Sequence, residues 1–214
     1  MNEAIDIYCE RLGPGFWAEP INAITNMGFL IATFLLFLMA RRDKVLNTEV
    51  CILIGLLGCI GIGSWLFHTL AVRWAMLADV LPILLFQISF IVIYGRRVMN
   101  LGPTYISILL LGFVLLSIGF ESLPRAWLNG SLAYLPAILY LLGFAFYHRR
   151  TGQNAQNILL LAVCTFAVSL TFRSIDMMVC PVVTFGTHFL WHLLNAVVLY
   201  LCVYAVIKNE KVSP

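Results

Sequence analysis

The sequence predicts an all-α membrane protein, a bundle of seven transmembrane helices with its N-terminus outside and its C-terminus in the cytoplasm. Three observations predict it. The 214 residues are 62% hydrophobic and only 11% charged, with a mean hydropathy of +0.96, whereas a soluble domain carries about a quarter charged residues. The apolar residues fall into seven runs close to the length of about 20 residues that a spanning helix needs. The basic residues collect in alternate connections. The runs lack the alternating polarity of barrel strands, and backbone in lipid must satisfy its own hydrogen bonds, which leaves helices. The net charge of +3, with no long basic tract, argues against a nucleic-acid partner. No obligate protein partner is implied.

Residues 1–19 form a polar N-terminal loop. They carry Glu3, Asp6, Glu10 and Glu19 and lack the basic start and apolar core of a signal peptide. The helical domain occupies residues 20–207 and a short tail residues 208–214. The seven spans are Ile21–Ala40, Val50–Leu70, Trp74–Tyr94, Thr104–Phe120, Ser131–Tyr147, Asn157–Phe172 and Val182–Ile207. Arg41, Arg42 and Lys44 occupy the first connection, Arg96 and Arg97 the third, Arg149 and Arg150 the fifth, and Lys208 and Lys211 the tail. The opposite side has Arg11, Arg73, Arg125 and Arg173 diluted by seven acids. By the positive-inside rule the N-terminal loop is extracytoplasmic.

Oxygen-bearing residues on that loop, with the turn Gly13-Pro14-Gly15, could hold a hard cation such as calcium; a solvated loop is the plainer reading. The first span opens at Pro20, where a missing N–H costs little. Asn22, Thr25 and Asn26 share one face and are expected to hydrogen-bond across helices as structural glue. The second span is rich in Gly55, Gly58, Gly61, Gly63 and Ser64, which lets backbones approach closely. Ser64 and His68 are one turn apart at its outer end, and a histidine in a membrane helix is a functional candidate. The third span follows after a few residues, so the two form a hairpin that brings Asp79 near His68; Pro82 is expected to kink it. The alternative for Asp79 is a helix cap at headgroup level.

Spans four and five offer little chemistry. Glu121 and Arg125 are spaced for an exposed ion pair of small value, and His148, beside Arg149 and Arg150, reads as an interfacial residue. Cys51, Cys59, Cys164 and Cys202 fall in spans and read as packing residues. Cys9 and Cys180 are both extracytoplasmic, and an oxidising compartment would let them pair. The last span carries His188 and His192, four apart and so on one face, at the same depth as His68.

Three histidines with one open position are a common catalytic zinc arrangement. Asp79 is then the candidate proton acceptor, and Ser64 a donor to the oxyanion or the water. The chemistry so assembled is hydrolysis of an acyl bond, most simply an amide, and a site in the bilayer implies a lipid substrate.

These residues resemble a known family. Cys9-Glu10, the run Ala18-Glu19-Pro20-Ile21-Asn22-Ala23-Ile24-Thr25-Asn26, then Gly61-Ile62-Gly63-Ser64 with Phe67-His68-Thr69-Leu70, Asp79, and His188-Phe189-Leu190-Trp191-His192 are similar to the alkaline ceramidases. Those belong to a superfamily of seven-helix membrane hydrolases that includes the adiponectin receptors. The compact length and the run Cys-Glu-Arg-Leu-Gly-Pro-Gly resemble a bacterial member, which implies the bacterial cytoplasmic membrane with the active site towards its outer side. The resemblance implies a zinc-dependent ceramide amidase releasing a long-chain base and a fatty acid, with zinc on His68, His188 and His192 and with Asp79 and Ser64 catalytic. It implies calcium in the N-terminal loop, for which Asp6, Glu10 and Glu19 are the candidates, and it supports a Cys9–Cys180 bridge. The competing readings are a hydrolase of another acyl lipid and a lipid-binding receptor or sensor with a structural metal.

Overall fold

Apolar runs of spanning length become helices here because nothing else closes their backbone hydrogen bonds in lipid. The computed structural model describes residues 3–13, 15–124 and 126–210. Its helices are α1 (Pro20–Thr25), α2 (Met27–Arg42), α3 (Thr48–Leu70), α4 (Arg73–Arg97), α5 (Pro103–Glu121), α6 (Leu135–Arg150), α7 (Ile158–Val179) and α8 (His188–Asn209), with a 3₁₀ segment, Trp127–Tyr134, leading into α6. The pair α1 and α2 makes one span and the 3₁₀ segment with α6 another, so seven are long and apolar enough to cross a membrane. The chain is an all-helical, multi-pass membrane protein.

The boundaries follow local chemistry. Pro20 and Pro103 sit in first turns, and the Asn47 side chain caps α3 by accepting from the Val50 N–H at 2.9 Å. The first span breaks at Asn26 rather than running unbroken, while α4 continues through Pro82. The fifth span starts earlier than Ser131, in a segment where Leu128, Asn129 and Gly130 take left-handed backbone before Pro136 opens α6.

The largest departure from the expected layout is at the sixth and seventh spans. The sixth runs to Val179 rather than Phe172, so Ser174 and Asp176 are helical, and α8 begins at His188 rather than Val182. Arg173 and Asp176 read as loop residues by polarity. Each is instead satisfied inside the protein. The Arg173 guanidinium donates to the Asn129 carbonyl (2.6 Å) and to Ser131 Oγ (3.0 Å).

The two inner helices are α3 and α8, with 56% and 61% of their spans buried against 11–33% for the others. Helix α8 packs on α1, α2, α3, α4 and α7. The outer helices expose Ile108, Leu111, Leu115 and Ile118 among other large apolar side chains, as lipid requires. Cys51, Cys59 and Cys164 belong to this exposed surface and are not packed inside; Cys202 is buried.

The two ends of the bundle differ. At one end lie Arg42, Arg97, Arg150 and Lys208, in the last turns of their helices. There Asp43 bonds Arg42 Nε (2.8 Å) and Lys208 Nζ (2.7 Å), and Arg97 pairs with Glu49. His148 is fully buried at this end, not interfacial. Its Nε2 bonds the Asn154 carbonyl at 3.0 Å and its Nδ1 accepts from the Tyr94 hydroxyl at 2.7 Å. Arg125 and Lys211 lie outside the described residues, and with them the pair expected between Glu121 and Arg125.

The other end is tied across the whole chain. Ile5 N–H donates to the Ala71 carbonyl at 2.8 Å in the α3–α4 turn. Cys9 and Cys180 form a disulfide, closing 171 residues of sequence separation.

Candidate metal centre

Burying an imidazole requires a partner for each ring nitrogen or a reason to lack one. His68 sits in the last turn of α3 and is 1% exposed. Its Nδ1 lies 2.6 Å from Glu19 Oε2, a carboxylate that can only accept, so Nδ1 carries a hydrogen, and in the neutral ring Nε2 is the nitrogen with the free lone pair. His192, one turn into α8, has Nδ1 3.0 Å from Thr25 Oγ1. That hydroxyl donates to the Ile21 carbonyl at 2.8 Å and therefore accepts from His192, again leaving Nε2 bare.

His188 opens α8. The Asp176 carboxylate accepts from the N–H groups of Thr187 (2.7 Å) and His188 (3.0 Å) with one oxygen and from the Cys9 N–H (3.1 Å) with the other. Gly186, with φ of 63°, lets this carboxylate in: a Cβ there would sit 2.1 Å from Asp176 Oδ1. The Tyr8 ring stacks on His188 with centroids 3.7 Å apart and covers the site from the N-terminal loop. Burial pushes the Tyr8 hydroxyl's pKa up, against the pull of Arg173.

The three rings gather with centroids 4.6–5.2 Å apart. One nitrogen from each, all within 4.8 Å of one another, could hold a metal ion. In these rings the buried nitrogens without partners are His68 Nε2, His188 Nδ1 and His192 Nε2. Three buried imidazole nitrogens without partners are costly in a dry interior. A cation at their meeting point removes that cost, and an all-imidazole set suits zinc among biological divalent ions. Outer partners such as Glu19 and Thr25 are of the kind that orient metal-binding histidines.

Asp79 and Ser64 reach the same place by way of Gly63. A Cβ on Gly63 would sit 2.0 Å from the Ala78 carbonyl oxygen and 3.1 Å from the Asp79 N, so α3 and α4 touch backbone to backbone there. Ser64, Asp79 and His192 line one end of an elongated cavity. Asp79 lies in the second turn of α4, whose N-cap is Val72, which removes the reading of Asp79 as a cap. The cavity continues along α8 to Cys202 and along α4 to Ile91, between Phe86, Phe90, Phe113 and Phe144. Ten to twelve residues of helix make it about 15–18 Å long, roughly half the thickness of a bilayer's hydrocarbon core.

The three loop acids expected to hold calcium are not brought together. Asp6 is exposed. Glu10 is spent on the start of α1, where its oxygens accept from the N–H groups of Ile21 (2.7 Å) and Asn22 (2.8 Å); burial raises its pKa although these bonds oppose it. Glu19 holds His68 with one oxygen and Arg11 Nε with the other, at 2.5 Å. Burial works to raise the Glu19 pKa, but the bonds to His68, Arg11 and Asn22 outweigh it and hold the group below its ordinary value. As placed, these residues do not make the six-to-eight-oxygen shell of calcium. Among the described residues, the three histidines alone form a group of three or more side chains in range of one ion.

The family model described as Ceramidase matches residues 9–211, nearly the whole chain. The chain belongs to the ceramidase family. Among curated proteins none matches it. Membership makes it a ceramidase-like hydrolase of an amide bond, and the buried three-histidine group gives this ceramidase-family chain a place where a metal could be bound.

Sequence reasoning missed several supports of this site. Glu19 stood only among the calcium candidates, yet it holds His68; Thr25 does hydrogen-bond across helices as expected, and its partner is His192. Asp176 read as a loop residue and instead anchors the start of α8. Its signal was available: it is one of ten acids in the chain and lies six residues before a predicted membrane helix. Tyr8 gave no signal beyond its place beside Cys9.

Proposed function

We propose that the protein is a zinc-dependent intramembrane amidase that hydrolyses the N-acyl bond of ceramide-like lipids to a long-chain base and a fatty acid. The observation that carries this reading is the gathering of three buried imidazoles, each with a partnerless nitrogen, beside an apolar cavity that His192, Asp79 and Ser64 line. His68, His188 and His192 would hold the zinc. When bound, the ion supplies Lewis acidity and makes a water nucleophilic near neutral pH.

The chain's own residues supply the rest. The cavity takes the acyl chain, its length and aromatic lining matching a hydrocarbon tail from one leaflet. That places the amide at the cavity mouth, between Ser64, Asp79 and His192. Asp79 accepts the proton of the attacking water and delivers it to the departing amine nitrogen, which needs a carboxylate within reach of both. The Ser64 hydroxyl donates to the acyl oxygen as charge grows there. Tyr8 and the N-terminal loop shield the histidine side from bulk water.

The site faces the extracytoplasmic side, in a bacterial cell the outer side of the cytoplasmic membrane. Two features support this. The arginine-rich helix ends lie at the opposite end of the bundle, and the Cys9–Cys180 disulfide beside the site needs an oxidising compartment. A receptor with a structural metal is less well supported, since a closed zinc site takes four protein ligands and the group here has three histidines.

The test is release of fatty acid and free amine from a fluorescent N-acyl sphingoid base by the purified protein. Activity should vanish with a zinc chelator and return with zinc. If zinc-loaded protein releases no fatty acid from that or any other N-acyl lipid, the proposal fails. Release from N-acyl lipids other than ceramides alone would move the substrate to another acyl lipid.

A further inference from the structure

An arginine at 6% exposure must have its charge answered inside the protein, because an unpaired buried ion is too costly to keep. Arg11 is answered on all sides. Its Nε donates to Glu19 Oε1 at 2.5 Å, its Nη1 to the Gly13 carbonyl at 3.2 Å, and its Nη2 to the His68 carbonyl at 3.1 Å. A carboxylate and two carbonyls are the oxygen types that a calcium ion gathers. Here a guanidinium gathers them.

We propose that Arg11 is the resident cation of the N-terminal loop, standing where a divalent ion would otherwise be needed and positioning His68 through Glu19. Each contact does a separable job. The bond to the His68 carbonyl places a positive charge at the C-terminal end of α3, where the helix dipole and the last free carbonyls favour one. The bond to Glu19 fixes that carboxylate so that its other oxygen meets His68 Nδ1 at 2.6 Å and Asn22 Nδ2 at 3.1 Å. Glu19 in turn keeps the hydrogen of His68 on Nδ1 and turns Nε2 towards His188 and His192. Arg11 thus grips His68 twice, once at its backbone and once through its ring.

The arrangement also excludes calcium. The oxygens of Glu19 are occupied by Arg11, His68 and Asn22, and those of Glu10 by two backbone N–H groups. A divalent ion could enter only by displacing the guanidinium, whose charge, unlike that of a lysine or histidine, is permanent. Arg11 is a positioning residue: it touches neither a substrate nor the reacting atoms.

The positioning role rests on the zinc reading above, but its test does not use hydrolysis. The full-length protein in detergent is assayed for calcium-45 binding and for its melting temperature in excess calcium against a calcium-selective chelator. Neither should show an effect. Zinc affinity is then measured by competition with a chromophoric chelator, and cobalt(II) spectra are recorded, for wild type, Arg11→Gln and Arg11→Lys. Loss of an outer partner of a metal-binding histidine costs about 10–100-fold in metal affinity. Arg11→Gln should lose affinity in that range with an altered cobalt spectrum, and Arg11→Lys should recover part of it. Stoichiometric calcium binding or calcium-dependent melting in the wild type overturns the proposal, as does wild-type zinc affinity in Arg11→Gln. If Arg11→Gln does not fold, the wild-type calcium measurements still decide. Absence of hydrolysis would sink the amidase reading and leave these metal-binding outcomes untouched.

Discussion

Replacing Gly63 by alanine adds one carbon where α3 and α4 meet backbone to backbone. That carbon would sit 2.0 Å from the Ala78 carbonyl oxygen and 2.6 Å from its carbon, whereas tolerated contacts begin at 3.0–3.4 Å. The obstacle is backbone, so no change of side chain at position 78 relieves it. Helices α3 and α4 must part by at least about 1 Å at the level of Asp79. Overpacking of this kind costs about 1–3 kcal/mol of stability. The functional cost should be larger in proportion. The histidines lie on α3 and α8, so they stay together, but Asp79 rides on α4 and moves away from them. A misplacement of about 1 Å in a reacting group costs on the order of 100-fold in rate. Gly63→Ala should therefore keep its zinc, as measured by elemental analysis, and lose about 100-fold in kcat on an N-acyl lipid. Gly55→Ala is the control, since a Cβ there meets nothing within 4 Å. A folded, zinc-loaded Gly63→Ala enzyme within about threefold of wild type would refute the claim that backbone contact at Gly63 places the catalytic carboxylate.

The roles assigned to the site separate in a second pair of variants: Asp79→Asn should retain zinc and lose hydrolysis, whereas His188→Ala should lose both, and a full zinc complement in His188→Ala would contradict the ligand assignment. Reducing the Cys9–Cys180 bridge, or replacing both cysteines by serine, should lower the melting temperature, since a cross-link closing a loop this long contributes about 2–5 kcal/mol; an unchanged melting curve would show that the loop is held without it. At the arginine-rich end, the bonds from Arg42 and then Lys208 hold the Asp43 carboxyl down at about 2. A depressed carboxylate stabilises the fold above its unfolded pKa and loses that contribution as pH falls through the folded value. The difference in melting temperature between wild type and Asp43→Asn should thus be present above about pH 4 and shrink as pH falls towards about 2, and a difference independent of pH would remove Asp43 as its source.

Much of this was legible because lipid makes polarity expensive. The seven spans follow from run length alone, and His68, His188, His192, Ser64 and Asp79 stand out against runs that are otherwise apolar. Helical spacing puts His188 and His192 on one face, and the short α3–α4 turn puts His68 near Asp79. What spacing cannot give is the partner of a polar side chain. Asp176 and Arg173 ended the sixth span on paper because charge reads as solvent exposure. In the folded chain one caps α8 and the other meets Asn129 and Ser131, so the helix continues through them. Glu10 and Glu19 were candidates for calcium because a loop rich in acids suggests an ion; what spacing could not show is that Arg11, His68 and backbone N–H groups bond their oxygens.

The hydrogen-bond accounts of the histidine end point the same way. The described residues bury Glu10, Arg11, Glu19 and Asp176 at the end of the bundle that holds the three histidines, and each has its charge met by named partners. A fold able to satisfy four buried charges there could as readily have supplied donors to the three imidazoles. It places acceptors instead on the far sides of His68 and His192, through Glu19 and Thr25, and leaves one buried nitrogen of each of the three rings without a partner. At the opposite end the contrast is direct, since both ring nitrogens of His148 are bonded. Partnerless nitrogens are thus not a general tolerance of this chain for unsatisfied histidine. They occur where three rings meet beside an apolar cavity that also holds a carboxylate, and an ion shared by the three would remove the cost of burying them.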